Sequence, residues 1–184
     1  MSILKTPASA KLIIGFFLND KSIAEHIINR LQNLFGDIDI ISSWFNFDRT
    51  NYYETEMGSP LFRRIAVFKK LIKQTDLADI KLATNNLEKE ETDSDKRRVN
   101  IDPGYMLAER FVLATGKNFS HRIYIGKKVY ADLTLIYKKN NFSFLPWTYP
   151  DYKSRQLVDF LSIVRKKYML DLKKHNEKAG YFIS

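Results

Sequence analysis

The run Lys11-Leu12-Ile13-Ile14-Gly15-Phe16-Phe17-Leu18 constrains the fold more than any other part of the chain. After Lys11 it is apolar throughout, with no alternation between apolar and polar positions. A strand of that kind belongs inside a sheet, buried on both faces. Asn19-Asp20-Lys21 then turns the chain. Ser22, with Glu25 three residues on, matches a capping box. Ile23, Ile27, Leu31 and Leu34 follow at helical spacing, and Gly36 stands where a C-terminal cap glycine belongs.

The rest of the chain reads as mixed elements. Residues 37–47 predict a returning strand, with Ile38, Ile40, Ser42 and Trp44 on one face and Ile41, Phe45 and Phe47 on the other. Residues 52–57 predict a shorter extended segment. Residues 60–72 fit two periods: Leu61, Ile65, Phe68 and Ile72 as a helix, or Phe62, Arg64, Ala66 and Phe68 as a strand. Asp76 is placed to cap a helix through Leu77, Ile80, Ala83 and Leu87, which runs into an acidic stretch at 88–95. Residues 97–101 predict a strand ended by the turn dipeptide Pro103-Gly104. Residues 107–114 fit either helix or strand. Residues 121–125 and 129–137 predict a hairpin joined at Gly126-Lys127-Lys128, and Asn140-Asn141 a second turn into 142–145. Leu157, Leu161, Val164 and Tyr168 form the stripe of a last helix starting at Asp151 or Ser154, with Lys166 and Lys167 near its end, where cations suit the helix dipole.

With residues 60–72 as a strand, the order becomes β-α-β-β-α-β, a ferredoxin-like arrangement. The expected fold is therefore α+β in a single domain, residues 1–184. A ferredoxin-like core spans 11–102, an appended antiparallel β-meander 103–152, a C-terminal helix 153–172 and a tail 173–184. With 60–72 as a helix, another α+β topology is needed. A hydrophobic fraction of 45% is ample for one packed core. No cysteine is present, which excludes disulfides, cysteine zinc sites, thiol catalysis and iron–sulfur clusters. No segment approaches the ~20 apolar residues needed to span a bilayer, and a cytoplasmic location is expected.

The formal charge of +9 is uneven. Residues 153–178 carry eight Lys/Arg against three acids, while residues 88–95 carry five acids against one Lys. A basic half attracts nucleic acid, phosphate ligands or an acidic partner, or simply keeps the surface soluble.

Several constellations carry chemical content. Glu54 and Glu56, two apart on a strand, would share a face and hold a divalent cation such as Mg or act as an acid/base pair; the plainer reading is an edge strand made soluble by acids. Lys81, Asn85 and Glu88 form a polar stripe beside Thr84, opposite Leu77, Ile80 and Leu87, and either face water or bind a ligand. Asn100 and Asp102 precede the expected turn, near Arg97 and Arg98, and either serve a site or cap and pair locally. Thr115-Gly116-Lys117 fails as a phosphate loop, because Phe111 stands at the first glycine position and Asn118 at the Ser/Thr position. Lys117 remains a candidate phosphate contact. His121 and Arg122 suit an anion or a structural hydrogen-bonded pair. In the following strand Val129, Ala131, Leu133 and Leu135 form the apolar face, and Asp132 and Thr134 look away from it. Trp147-Thr148-Tyr149-Pro150-Asp151-Tyr152 offers rings that stack on a base or close over the core.

As a set these blocks resemble a bacterial family known as domain of unknown function 4416. The resemblance runs through 11–17, Tyr52 to Gly58, Lys81 to Asn85 with Glu88, Asn100 to Tyr105, Leu113 to Thr115 with Lys117, His121 to Gly126, and Trp147 to Tyr152. Asp132 stands where the family is expected to carry Glu, and Lys127-Lys128 where a glycine is more usual. The resemblance supplies motif positions and no mechanism, and implies that the polar residues of those motifs form one site.

The functional expectation is a metal-dependent enzyme or binder acting on a phosphorylated or nucleotide-like ligand. If it is an enzyme, its activity would be metal-assisted phosphoryl or phosphoester chemistry. Glu54, Glu56, Glu88 and Asp102 are the candidate metal ligands. Lys81, Asn85, Arg98, Asn100, Lys117, Arg122 and Tyr149 are the candidate ligand contacts. His121, Glu54 and Asp102 are the candidate catalytic groups, His121 for its ordinary pKa of about 6.5. The rival readings are a non-enzymatic RNA- or nucleotide-binding module, and a structural or partner-binding protein.

Overall fold

A computed structural model describes residues 3–47, 53–93 and 96–178, apart from the side chains of Glu54, Thr55, Asp93 and Lys178. In chain order the elements are β1 (Ala10–Leu18), α1 (Ala24–Phe35), β2 (Ile38–Ile41), β3 (Phe45–Asn46), α2 (Glu54–Met57), β4 (Phe62–Ile72), α3 (Leu77–Glu90), β5 (Thr92–Asp93), β6 (Lys96–Arg97), β7 (Val99–Met106), β8 (Arg110–Thr115), β9 (Arg122–Tyr124), β10 (Tyr130–Lys138), β11 (Asn141–Phe144) and α4 (Arg155–Lys178). The architecture is a large antiparallel sheet with three long helices. The strand order is β11-β10-β8-β7-β1-β4-β2, with β3 added to β4 and β9 added to β10. Strands β5 and β6 form a separate hairpin.

The apolar run becomes the centre of the sheet. Every residue of β1 is buried, and its neighbours β4 and β7 both run antiparallel to it. On one face Leu12, Ile14, Phe16 and Leu18 pack with Ile27 and Leu31 of α1 and Ile80 and Leu87 of α3. On the other, Ile13 joins Ile65, Val67 and the α4 stripe Leu157, Leu161, Val164 and Tyr168. Burying each such side chain contributes roughly 1.5–3 kcal/mol. Lys11 is the exception within β1. It is fully buried and ties α4 to the sheet through Asp39 at 2.9 Å and Asp171 at 2.6 Å.

Of the two readings of residues 60–72 the strand holds, over Phe62–Ile72. Gly36 caps α1 at φ 90, its N–H bonded to the Gln32 carbonyl. The start of that helix differs from expectation: a 3₁₀ turn at Lys21–Ile23 precedes it, and Asp20, not Ser22, supplies the capping oxygen, accepting from the Ser22 N–H.

Five further expectations are corrected. The segment expected to be extended around Glu54 and Glu56 is the short helix α2, so a two-residue spacing no longer puts both on one face; Tyr52 lies outside the described residues. Pro103-Gly104 does not turn the chain. Strand β7 continues through it to Met106, and Gly104 is needed because a Cβ there would collide with the Val112 carbonyl oxygen across the ladder. Asp132 and Thr134 do not face outward. A register shift between Leu133 and Leu135 accompanies their burial at 2% and 0% exposure, with Leu133 left half-buried. The second turn is centred on Lys139 and Asn140, both at positive φ, one residue earlier than expected. Helix α4 runs on to Lys178, through the first half of the expected tail.

Candidate functional site

The sheet splits between β7 and β8. Their ladder holds only Gly104 with Leu113, Tyr105 with Val112 and Met106 with Phe111. Before Gly104 on one strand and after Leu113 on the other, the two part, and a cleft of about 1020 Å³ opens there. The unpaired edge of β7 is closed by a helix in place of a strand. Lys81 Nζ donates to the Ile101 carbonyl at 2.8 Å, and Glu88 accepts from the Ile101 N–H. These two residues stand seven apart on α3 and grip one residue of β7 from both sides. A polar stripe that seemed ready to face water is therefore largely interior, with Lys81, Thr84 and Glu88 buried and Asn85 at the cleft wall.

Asn100 and Asp102 share the cleft face of β7. Asn100 Nδ2 donates to Asp102 at 2.9 Å, and Lys81 Nζ lies 3.8 Å from the other Asp102 oxygen. Arg97 gathers the next group. It donates to Asn100 Oδ1 at 3.0 Å and to Glu56 at 2.7 Å, and lies 3.7 Å from Glu88. Burial pushes the Glu88 carboxyl up, and Asp102 adds to this, against the opposing pull of Lys81, the Ile101 N–H and Arg97. Burial works against the Arg97 charge, yet Glu56 and Glu88 outweigh it and hold its pKa above the ordinary value.

The floor is built on β1 and β4. Arg63, opposite Phe17 in the register, is 3% exposed. Its guanidinium donates to Asp151 and, at 2.5 Å, to the Tyr152 hydroxyl, and it lies over the Tyr152 ring. Burial pushes the Tyr152 hydroxyl up to about 12 despite Arg63 beside it. Phe47 stacks on Phe17 and Tyr53 meets Phe17 edge-on, forming an aromatic wall.

The far wall is β8 with the β9–β10 hairpin. Lys117 and Asp132 line it. His121 and Arg122 do not. Both turn to Asp132, with His121 Nε2 at 3.3 Å and Arg122 Nε donating at 2.8 Å. Arg122 also donates to the Lys117 carbonyl at 3.0 Å and to the Tyr149 hydroxyl at 2.6 Å. His121 stacks on Trp147, whose indole N–H donates to the Leu133 carbonyl. The aromatic motif thus divides: Trp147 braces His121, Tyr152 closes over the core, and Tyr149 faces the cleft.

Of the residues singled out from sequence, Glu56, Lys81, Asn85, Glu88, Asn100, Asp102, Lys117 and Tyr149 come together on this cleft. Arg98 sits beyond it, His121 and Arg122 lie behind its wall, and the Glu54 side chain is outside the described residues. The expected magnesium site does not fit the described donors. Glu56, Glu88 and Asp102 each turn to a cation or an N–H group, and among the described residues no group of three or more His, Asp or Glu side chains is arranged to hold a metal. Sequence reasoning missed Arg63 and Gly15. The available signal was a charged residue on the otherwise apolar Arg63, Ile65, Val67 face of β4.

A family model described as domain of unknown function (DUF4416) matches residues 8–168. The chain belongs to this family. The matched span covers the floor of the cleft, both of its walls and most of α4, so the cleft lies within the family's shared region. No curated protein and no solved structure matches the chain. Among the described residues no helix is long and apolar enough to cross a membrane.

Proposed function

We propose that the cleft binds a small phosphorylated or nucleotide-like ligand. The observation that carries this reading is the convergence on one cleft of Arg63, Lys81, Lys89, Arg97 and Lys117 with the rings of Phe47, Tyr53 and Tyr149. Cations suit a phosphate, and aromatic faces suit a base. Tyr149 accepts from Arg122, which leaves its own hydroxyl hydrogen for another partner. Asp102, with about a third of its side chain exposed, is the carboxylate in this reading that moves a proton on a bound ligand. The lining also carries five acids, Glu56, Glu88, Asp102, Asp132 and Asp151. That balance favours a compact ligand with one charged end over a polynucleotide, whose repeated phosphates call for a continuous basic track.

The single-domain, ferredoxin-like reading of residues 11–102 belongs with this proposal. It is supported by the order β7-β1-β4-β2, all antiparallel, with α1 and α3 packed on one face.

The test is a thermal-shift panel of nucleosides, nucleotides and sugar phosphates, since a ligand selective for the folded state raises its melting temperature. A phosphorylated member is expected to stabilise the protein more than its unphosphorylated parent, and Arg97→Ala to abolish the difference. Equal or absent shifts across the panel would discard the reading.

A further inference from the structure

The cleft does not end at the Arg97–Glu56 pair. Behind that pair lies a second hollow of about 250 Å³, bordered by Asn19, Gly58, Lys96 and Arg98, with Arg97 and Glu56 as the wall shared with the cleft. Three consecutive cations reach it, because the bend at Arg98 between β6 and β7 interrupts the alternation of an extended chain. The described acids offset part of this charge. Glu56 is taken by Arg97 at 2.7 Å, and Asp20 stands 3.9 Å from Arg98. Lys96 has no ion-pair partner among the described residues. Gly58, at φ 79, leaves space beside the Asn19 amide nitrogen. Unlike the cleft, where acids and bases balance, this hollow is lined by three cations against one acid, and a concave wall with an excess of one sign concentrates its field on an incoming anion.

We propose that this hollow is an anion subsite for the terminal phosphates of the cleft's ligand. The assignment rests on the reading of the cleft as a site for a phosphorylated ligand, and narrows it to a compound with a phosphate chain, such as a nucleoside di- or triphosphate. The ring and first phosphate lie on the cleft side of Arg97. The following phosphates pass the Arg97–Glu56 pair and meet Lys96, Arg98 and the Asn19 amide. Arg97 borders both compartments and contacts the chain at its middle.

The experiment is isothermal titration of the full chain, wild type and the Lys96→Ala/Arg98→Ala double variant. The probes are inorganic pyrophosphate and the mono-, di- and triphosphates of adenosine and guanosine. Neither substituted side chain is buried, and circular dichroism checks that the variant folds. The expected result is that pyrophosphate and the longer nucleotides bind the wild type. The double variant then weakens them about tenfold or more, while monophosphates change by less than about twofold. Equal weakening of mono- and triphosphates, or no weakening, overturns the subsite and leaves the cleft reading standing. Pyrophosphate binding that the double variant loses, with no nucleotide bound, supports the subsite and defeats the nucleotide reading. Wild-type protein that binds neither pyrophosphate nor any nucleotide overturns both.

Discussion

Gly15 lies directly beneath the guanidinium of Arg63: a Cβ at Gly15 would sit 3.0 Å from an Nη atom of Arg63. The guanidinium has little freedom to retreat, because Asp151 and Tyr152 hold it from the other side. Gly15→Ala is therefore expected to cost about 1–3 kcal/mol, as overpacking of a tight interior does. The measurement is a urea unfolding midpoint. On an Arg63→Leu background the same alanine should cost clearly less. Additive costs in that double-mutant cycle would show that the two residues do not share one space.

Glu88 gives a pH signature. Its folded-state pKa is raised above 4.5 by burial. The folded protein thus holds this proton more tightly than the unfolded chain does. The stability it contributes is fully present below about pH 4.5 and is lost as pH rises through the raised value. Glu88→Gln removes the titration and keeps an oxygen for the Ile101 N–H. The stability of the variant relative to wild type should improve as pH rises above about 4.5 and level off once the pH has passed the raised value. Chemical denaturation of both proteins across that rise reads the difference. A difference that is flat with pH would remove Glu88 from this account.

Asp132 is the shared partner of two neighbours at once. It is 2% exposed, and both His121 and Arg122 reach the same oxygen. Removing one partner of a buried pair strands the other, so Asp132→Ala should cost about 3–5 kcal/mol. His121→Ala should cost less, because Arg122 still compensates Asp132. Thermal or urea unfolding of the two single variants tests the order. A His121 variant worse than the Asp132 variant would place the weight on the Trp147 stack instead.

Much of the sheet was legible because local pattern and global position agree. The run ending at Leu18 is apolar without alternation and lies at the sheet's centre. The stripe Leu157, Leu161, Val164 and Tyr168 is buried along its whole length. Two of the failures share one cause: a local rule was overridden by a distant neighbour. Pro103-Gly104 looks like a turn, yet the glycine answers to Val112 across the ladder. Lys81 and Glu88 look solvated, yet they answer to the main chain of Ile101, whose strand partner is missing. No single-sequence pattern announces a missing partner. For the same reason most polar residues of the cleft were identifiable by type and motif, whereas Arg63 was not. Its meaning depends on Gly15, which lies 48 positions earlier and on another strand.

The parting of β7 from β8 has one more consequence. Ala114 and Thr115 pair with β10 alone, and both line the cleft. Part of the cavity surface is therefore peptide bond, with its own donors and acceptors. An occupant that reads those amides is held by atoms every amino acid possesses. Recognition there is set by the path of the chain and is insensitive to which side chains it carries. Alanine scanning of the cavity should accordingly leave a residue of affinity that only a change of backbone, such as proline at Ala114, would erase.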